Sequence, residues 1–331
     1  MSGVQSVSVA KDEADIRLDR WFKRHFPDLN HGSLEKMLRK GQVRVDGARA
    51  KANQRMRPGQ VVRVPPLGPP PSPDGKEKGR PPVSEHDAAF IQGLVIYKDN
   101  ELIALNKPPG LAVQGGSKTT RHVDGMLDAL RFGSDHRPRL VHRLDRDTSG
   151  VLVVARSAAA AAKLGRAFQG HDVEKMYWAL VIGYPEHSGG TISAALVKSG
   201  PDGHERMEWD EEKGKKAITD YRVVSTAGEK VTWLELMPQT GRTHQLRAHC
   251  VLIKTPIVGD QKYTMKHDHP DQQIDLQDGL LADVADQMCL HARQITLNLP
   301  GRKPLTITAP LPKHMAGAFK DLGFSESEAE I

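Results

Sequence analysis

Residues 141–155 read VHRLDRDTSGVLVVA, a charged run that closes on Thr-Ser-Gly and passes at once into five apolar residues. An unbroken Val/Leu/Ala run bounded by a turn signal reads as a buried strand. The charged segment is then the loop at its entrance, where polar side chains stand over a core and the strand fixes their position. Asp145 lies between Arg143 and Arg146 in that loop. If these side chains converge, opposite charge holds the carboxylate ionised. An ionised, partly desolvated carboxylate is equipped to act as a nucleophile or general base. Taken alone, RLDRD is better explained by an Arg/Asp-rich turn closed by a structural salt bridge.

Outward from this strand the text is a series of short β-like runs: LVIYKD at 94–99, LIALNKP at 102–108, YWALVIGY at 177–184, AITDYRVVS at 217–225, VTWLELMP at 231–238 and QITLNLP at 294–300. Helical text intervenes only at AAAAAKLGRAFQ (158–169) and HQLRAHCVL (244–252). Many strands and few helices predict an α+β domain around a large mixed, mainly antiparallel sheet. No GxGxxG follows a strand and no GxxxxGK[ST] occurs, so dinucleotide and P-loop chemistry lack their phosphate cradles. No cofactor is expected.

A second polar cluster, QTGRTHQLRAH at 239–249, follows the strand VTWLELMP. Thr243 is a candidate cap for a helix carrying Leu246 and Arg247, with Arg247 a candidate partner for a distant carboxylate and otherwise a surface arginine. Tyr177 sits in a strand-like run, where a lone tyrosine is usually core.

The N-terminal 65 residues form a different text. Leu18, Trp21, Phe22 and Phe26 make one helical stripe, and Pro27 ends it. Ser33 is a candidate N-cap for a second helix carrying Leu34, Met37 and Leu38, closed by Gly41. Strand-like QVRVDG follows with a turn at Asp46-Gly47, then QVVRVP. From Lys11 to Pro65 there are 14 Lys/Arg against 7 Asp/Glu, while the whole chain of 331 residues carries a formal net charge of +6. The excess therefore lies in this small module, and the remainder is close to neutral. A compact basic module on a neutral body suggests a polyanion anchor beside a chemistry domain, although a solvated basic face would look the same. Between them, residues 66–93 begin PLGPPPSPDG and read as a Pro-rich linker. The expected division is thus 1–65, the linker 66–93, a main domain 94–325, and a flexible acidic tail 326–331.

Composition narrows the class. Hydrophobic residues make up 38% and charged residues 27%, which excludes a wholly disordered chain. No run approaches the roughly 18 apolar residues of a membrane span, and no secretory leader is visible. The two cysteines, Cys250 and Cys289, exclude a disulfide scaffold and a Cys-based zinc site. They read as reduced thiols in a cytoplasmic protein. His267 and His269 in MKHDHPD are spaced like a metal pair but read as a solvated loop beside Pro270.

With these residues in view, two resemblances emerge. RLDRWF at 17–22 and KMLRKGQVRVDG at 36–47, in helix-helix-hairpin order, resemble the S4 RNA-binding domain, a small α/β module. The resemblance implies that Lys36, Arg39, Lys40 and Arg44 face RNA, where phosphate contacts give affinity and register. HRLDRDTSG, EKMYWALVIG (174–183) and GRTHQLRAH (241–249), with LNKPPG (105–110) before them and LHARQITLNLP (290–300) after, resemble the RluA-type pseudouridine synthases over about residues 96–312. The order of the motifs is that of the family, and the leading S4-like module points to its large-subunit rRNA members. This resemblance implies the pseudouridine synthase fold and a uridine isomerase. It further implies that Asp145 is the essential carboxylate, that Arg247 pairs with it, that Tyr177 stacks on the base with Leu246 nearby, and that Arg143 fills the gap left by a flipped nucleotide. Flipping is required because C1′ and C5 cannot be handled inside a stack. The expected partner is RNA, with 23S rRNA or a large-subunit precursor as the target, with no membrane, no metal and no need for a dimer, so that a monomer is expected.

Two other classes fit single features. Asp145 and Asp147 could face one side of a strand and bind Mg²⁺ for phosphoryl transfer, though two flanking arginines disfavour a divalent cation. A non-catalytic RNA-binding factor would need only the basic module. Three separated motifs agreeing in order and residue type favour the isomerase.

Overall fold

The computed structural model describes residues 3–27, 29, 31–67, 82–116, 119–170, 172–200, 206–264 and 286–330. The chain divides into two compact units, Met1–Pro82 and Val83–Ile331.

In the first unit, β1 (Gln5–Ser8), α1 (Leu18–His25), α2 (His31–Arg39), β2 (Arg44–Val45), β3 (Ala48–Arg49) and β4 (Val61–Val64) surround one core. The four strands are ordered β1-β4-β2-β3. The helical stripe is buried as its spacing requires: Leu18, Trp21 and Phe22 pack on Leu34, Leu38, Val43, Val45 and Val62. Asp46 (φ 49°) and Gly47 (φ 80°) make the β2–β3 turn in the left-handed region, which explains an Asp-Gly pair there. Two details differ from expectation. Helix α2 begins at His31, so Ser33 lies inside its first turn rather than at the cap. Strand β1, which pairs antiparallel with β4, comes from a short alternating segment, SVSV at 6–9, that the sequence reading left unassigned.

The second unit contains α3 (Glu85–Gly93), β5 (Val95–Lys98), β6 (Leu102–Lys107), α4 (Val123–Met126), β7 (Arg139–Leu140), β8 (Ser149–Ala155), α5 (Ala158–Gln169), β9 (Val173–Ile182), β10 (Gly189–Ser199), β11 (Arg206–Trp209), β12 (Lys215–Ala227), β13 (Val231–Pro238), α6 (Gln245–Leu252), β14 (Leu290–Leu297), β15 (Leu305–Thr308) and α7 (Lys313–Leu322). One 11-stranded sheet runs β11-β10-β12-β13-β9-β14-β8-β6-β5, with β15 on β14 and β7 on β8. Among the described strands only β14–β8 is parallel, so the sheet is mixed and mainly antiparallel. Strand β8 is buried along its whole length. Its Val151 and Val153 pack with α5, while Leu152 and Val154 pack beneath α4. Further along the sheet, α6 covers Ala179, Leu234 and Leu236, and α7 covers Trp178, Leu180 and Trp233 on the opposite face.

The parallel seam explains Gly150. Its φ is 107°, and a Cβ there would stand 2.2 Å from the Ala292 carbonyl oxygen, so only glycine allows β14 to close on β8.

Two boundaries need correction. The segment assigned to the linker up to residue 93 ends in a helix: Ser84 caps α3 by accepting the Asp87 N–H, and Ile91 is fully buried with Leu105, Leu127 and Leu130. The prolines ahead of it masked a nine-residue helix with an apolar anchor. The Pro-rich centre, 68–81, lies outside the described residues, as do His267 and His269. The acidic tail is also seated. Glu326–Glu330 forms a 3₁₀ turn, Arg293 pairs with Glu326 at 2.7 Å, and Arg222 donates to the Ala329 carbonyl. Among the described residues no helix is long and apolar enough to cross a membrane.

Candidate active site

The two polar clusters meet above the seam. A cavity of about 360 Å³ is lined by residues 141–145 and Thr148 from the β8 entry loop, by Lys175 and Tyr177 of β9, and by 240–247 leading into α6. That volume lies in the range of small-ligand sites. Asp145 has a side chain one-fifth exposed on this cavity. Tyr177 is half-buried beside it. Burial and the negative charge of Asp145 both push the Tyr177 phenol up, so it is a neutral aromatic face at physiological pH. Leu246 is buried below, with Ala179, Leu234 and Leu236. Arg143 is exposed at the mouth. Lys175 also lines the cavity, and burial lowers its ammonium pKa.

The β8 entry loop is held from beneath by Lys107, at the end of β6. Its ammonium is fully buried and donates to three carbonyls, of Pro108, Leu111 and Arg146, each at 2.9 Å. Burial pulls its pKa down to about 7, and the charges of Asp147 and Asp145 oppose that fall. A cation thus already lies within the field of both carboxylates. Among the described residues no group of three or more His, Cys, Asp or Glu is arranged to hold a metal.

The opposite wall is organised by Gln245. Its amide oxygen accepts from Thr240 Oγ1 and from the Arg242 N–H, and its amide nitrogen donates to the Ile218 carbonyl and Thr219 Oγ1. This one buried side chain shapes the loop 240–244. The N-terminal position of α6 is His244, in the left-handed region at φ 50° and ψ 22°, with no side-chain cap. The expectation that Thr243 caps this helix is therefore wrong by one residue and in mechanism.

A second correction concerns Arg247. It is buried, but its guanidinium is bidentate with Asp260, at 2.6 Å for both bonds, rather than paired with Asp145. Burial works to lower its pKa, and the Asp260 hydrogen bonds and charge outweigh that and raise it, with Asp145 adding a smaller contribution through space. The side chain that faces Asp145 is His244, with Nε2 to Oδ2 at 3.9 Å. Arg146 is likewise turned away, donating to the Gly110 carbonyl.

His142, His249 and His291 do not come together: His142 is half-buried in the cavity wall, and His249 and His291 are fully buried elsewhere. His142 accepts the Val153 N–H and stacks on Phe168. His249 contacts Thr219 Oγ1. His291 lies between Ser149 Oγ and the Ala309 carbonyl. Burial lowers all three pKa values, to about 3, 4 and 4. They are neutral structural groups. Both cysteines are buried thiols whose pKa values burial raises.

Sequence reading brought Arg143, Asp145, Tyr177, Leu246 and Arg247 to one cavity. It missed Lys107, His244, Gln245, Asp260 and Tyr263, whose hydroxyl lies 3.0 Å from His244 Nδ1. The segment LNKPPG contains Lys107, and a lysine inside an apolar strand was the signal available. In the first unit, Lys36, Arg39 and Lys40 are exposed along α2 and beyond, and Arg44 donates to the Gly41 and Gly47 carbonyls. Arg39 also borders a shallow groove with Arg17 and Lys51, neither of which was singled out.

Comparison with known proteins agrees with this geometry. Residues 101–251 match the family described as RNA pseudouridylate synthase. "Ribosomal large subunit pseudouridine synthase C" of Rickettsia typhi is 34% identical, covering 90% of this chain and 94% of its own. "RNA pseudouridine synthase 4, mitochondrial" of Arabidopsis thaliana is 33% identical over 96% of this chain and 82% of its own. The solved structure of human RNA Pseudouridylate Synthase Domain Containing 4 superposes with a TM-score of 0.59 at 27% identity, covering 72% of this chain and 97% of that one.

Proposed function

This chain belongs to the RNA pseudouridylate synthase family and is an isomerase of uridine in RNA; we propose that its substrate is large-subunit (23S) rRNA and that Asp145 is the reacting carboxylate. The observation that carries the second point is that Asp145 lines the 360 Å³ cavity together with Tyr177 and Arg143. The names of the bacterial relatives support the first.

The chemistry asks little beyond position and charge. In uridine the N1–C1′ bond breaks, the uracil turns, C5 joins C1′, the C5 proton leaves to solvent, and N1 regains a proton. Asp145 either attacks C1′ or removes the 2′ proton to give a glycal, and both routes use the same ionised oxygen. Tyr177 offers a flat face on which detached uracil is held without fixing its rotation, and Leu246 closes the apolar side. Arg143 at the mouth is placed to occupy the space that a flipped nucleotide vacates.

The first unit, residues 1–65, acts in this reading as an S4-like RNA-binding domain, with Lys36, Arg39, Lys40 and Arg44 on the phosphates. The segment 66–84 tethers it to the catalytic domain that starts with α3. The enzyme works as a cytoplasmic monomer without a cofactor.

The test is tritium release from 23S rRNA transcript labelled at uridine C5, in EDTA. The reading expects release that grows with time and stops at a few tritium atoms per transcript. No release from this RNA, with release from another RNA, would refute the substrate.

A further inference from the structure

The groups behind Asp145 form a continuous chain that begins outside the cavity. Asp260 fixes the Arg247 guanidinium through two 2.6 Å bonds. That guanidinium lies over the Tyr263 ring, 4.8 Å from its centroid. The Tyr263 ring is 3% exposed, and its Oη accepts the Met207 N–H at 2.6 Å. Oη also lies 3.0 Å from His244 Nδ1, and His244 Nε2 faces Asp145 Oδ2 at 3.9 Å.

Proton positions follow from satisfying both ends. If Nδ1 carried the ring proton, the phenol proton would have no acceptor in this chain of contacts, and the Nε2 lone pair would face a carboxylate. With the proton on Nε2, Tyr263 O–H donates to Nδ1 and Nε2–H points at Asp145. A hydrogen bond to one nitrogen selects the tautomer at the other. Burial lowers the His244 pKa, Asp145 opposes that fall, and Arg247 and Lys262 reinforce it, so a neutral ring fits this assignment. The backbone of His244 is left-handed, a conformation that histidine holds only when its surroundings impose it.

We propose that His244, its tautomer set by Tyr263, is a positioning residue that turns Asp145. Nε2–H closes on Oδ2 when RNA fills the cavity, and Oδ1 is left facing the substrate. Arg247, held by Asp260, carries the Tyr263 ring beneath its guanidinium and so backs the hydroxyl that faces His244. The proposal rests on the reading of Asp145 as the reacting carboxylate.

Two substitutions separate reach from backbone. Asparagine tolerates the left-handed region better than most residues, but its amide falls short of the Nε2 position. Glutamine reaches that position and carries an N–H donor there. Steady-state tritium release over a series of transcript concentrations should show kcat for His244→Asn down about tenfold, the effect of one lost charge-assisted hydrogen bond on a rate, with KM within twofold. His244→Gln should recover most of the loss despite its poorer backbone match. Tyr263→Phe, which keeps the ring under Arg247, should lose severalfold in kcat alone. Equal losses in the Asn and Gln variants, or none in Asn, overturn the proposal, since packing rather than donation would then be at work. Asp145→Asn is assayed in parallel. Wild-type rate in that variant overturns the reading of Asp145 itself, whatever the His244 variants do.

Discussion

Replacing Asp260 by asparagine removes one charge from a pair that water scarcely reaches: the Arg247 side chain is 8% exposed and that of Asp260 is 0%. The substitution preserves shape. Asn Oδ1 can still accept the Lys262 and Tyr263 N–H groups that Asp260 Oδ1 accepts at 2.9 and 3.0 Å, so the turn survives. What is lost is the carboxylate opposite Arg247, and an amide NH₂ now faces the guanidinium Nε–H. Breaking one side of a buried pair leaves an uncompensated charge, at a cost of about 3–5 kcal/mol. The preserved turn places the effect near the lower end, about 3 kcal/mol. For a unit the size of Val83–Ile331 this corresponds to a fall in Tm of about 6–12 °C. Circular dichroism melts and urea midpoints measure it. The double change Arg247→Met with Asp260→Leu, which removes both charges, should restore most of the stability. A fall below about 2 °C for Asp260→Asn would refute the reasoning, because Arg247 would then have another counter-charge, and direct pairing with Asp145 would return as the explanation.

Gly150→Ala forces a Cβ to 2.2 Å from the Ala292 oxygen at φ 107°, and should destabilise the fold by about 3 kcal/mol or more; a wild-type Tm would contradict the parallel seam. Lys107→Met leaves three carbonyls without their donor beneath the Asp145 loop, and kcat in tritium release should fall about tenfold or more while filter-binding affinity for RNA holds. His142, His249 and His291 have folded pKa values lowered by burial to about 3, 4 and 4, so the folded state binds fewer protons than the unfolded chain below pH 6.5. Stability present above pH 6.5 is therefore lost as pH falls toward 4, by up to about 1.4 kcal/mol per histidine per pH unit. Urea midpoints at pH 7, 6 and 5 should decline steadily, and a flat series would contradict this. His142→Gln, whose amide oxygen can accept the same Val153 N–H, should reduce the slope by about one third.

Local signals in this chain were legible, and partnerships across it were not. The run VLVVA declares a strand buried on both faces, because no polar residue interrupts it, and QTGRTHQLRAH shows where a polar loop enters a helix. Both loops lie beside the strand of Tyr177, so the motif residues converge on one cavity. The sequence of α6 does not say that Arg247 will choose Asp260 over Asp145. That choice depends on how the segment after α6 returns, 13 residues on, to place a carboxylate at bidentate distance. Lys107 drew no separate reading because it sits at the end of the strand-like run LIALNKP, next to Pro108 and Pro109. Only the closed sheet shows that its ammonium meets three carbonyls. Helix α3 was hidden by neighbouring prolines, and its register is fixed by Ile91 docking on a core built from residues 103–130. The acidic tail was misread because its partners, Arg222 and Arg293, belong to distant strands.

The most direct test of the central claim compares wild-type protein with Asp145→Asn on unmodified 23S rRNA transcript in EDTA, with pseudouridine mapped by carbodiimide primer-extension stops. New stops with the wild type, and none with the variant at equal RNA binding, are the expected result. Stops at the same uridines with both proteins would contradict it, and the reacting group would have to be sought elsewhere in the cavity.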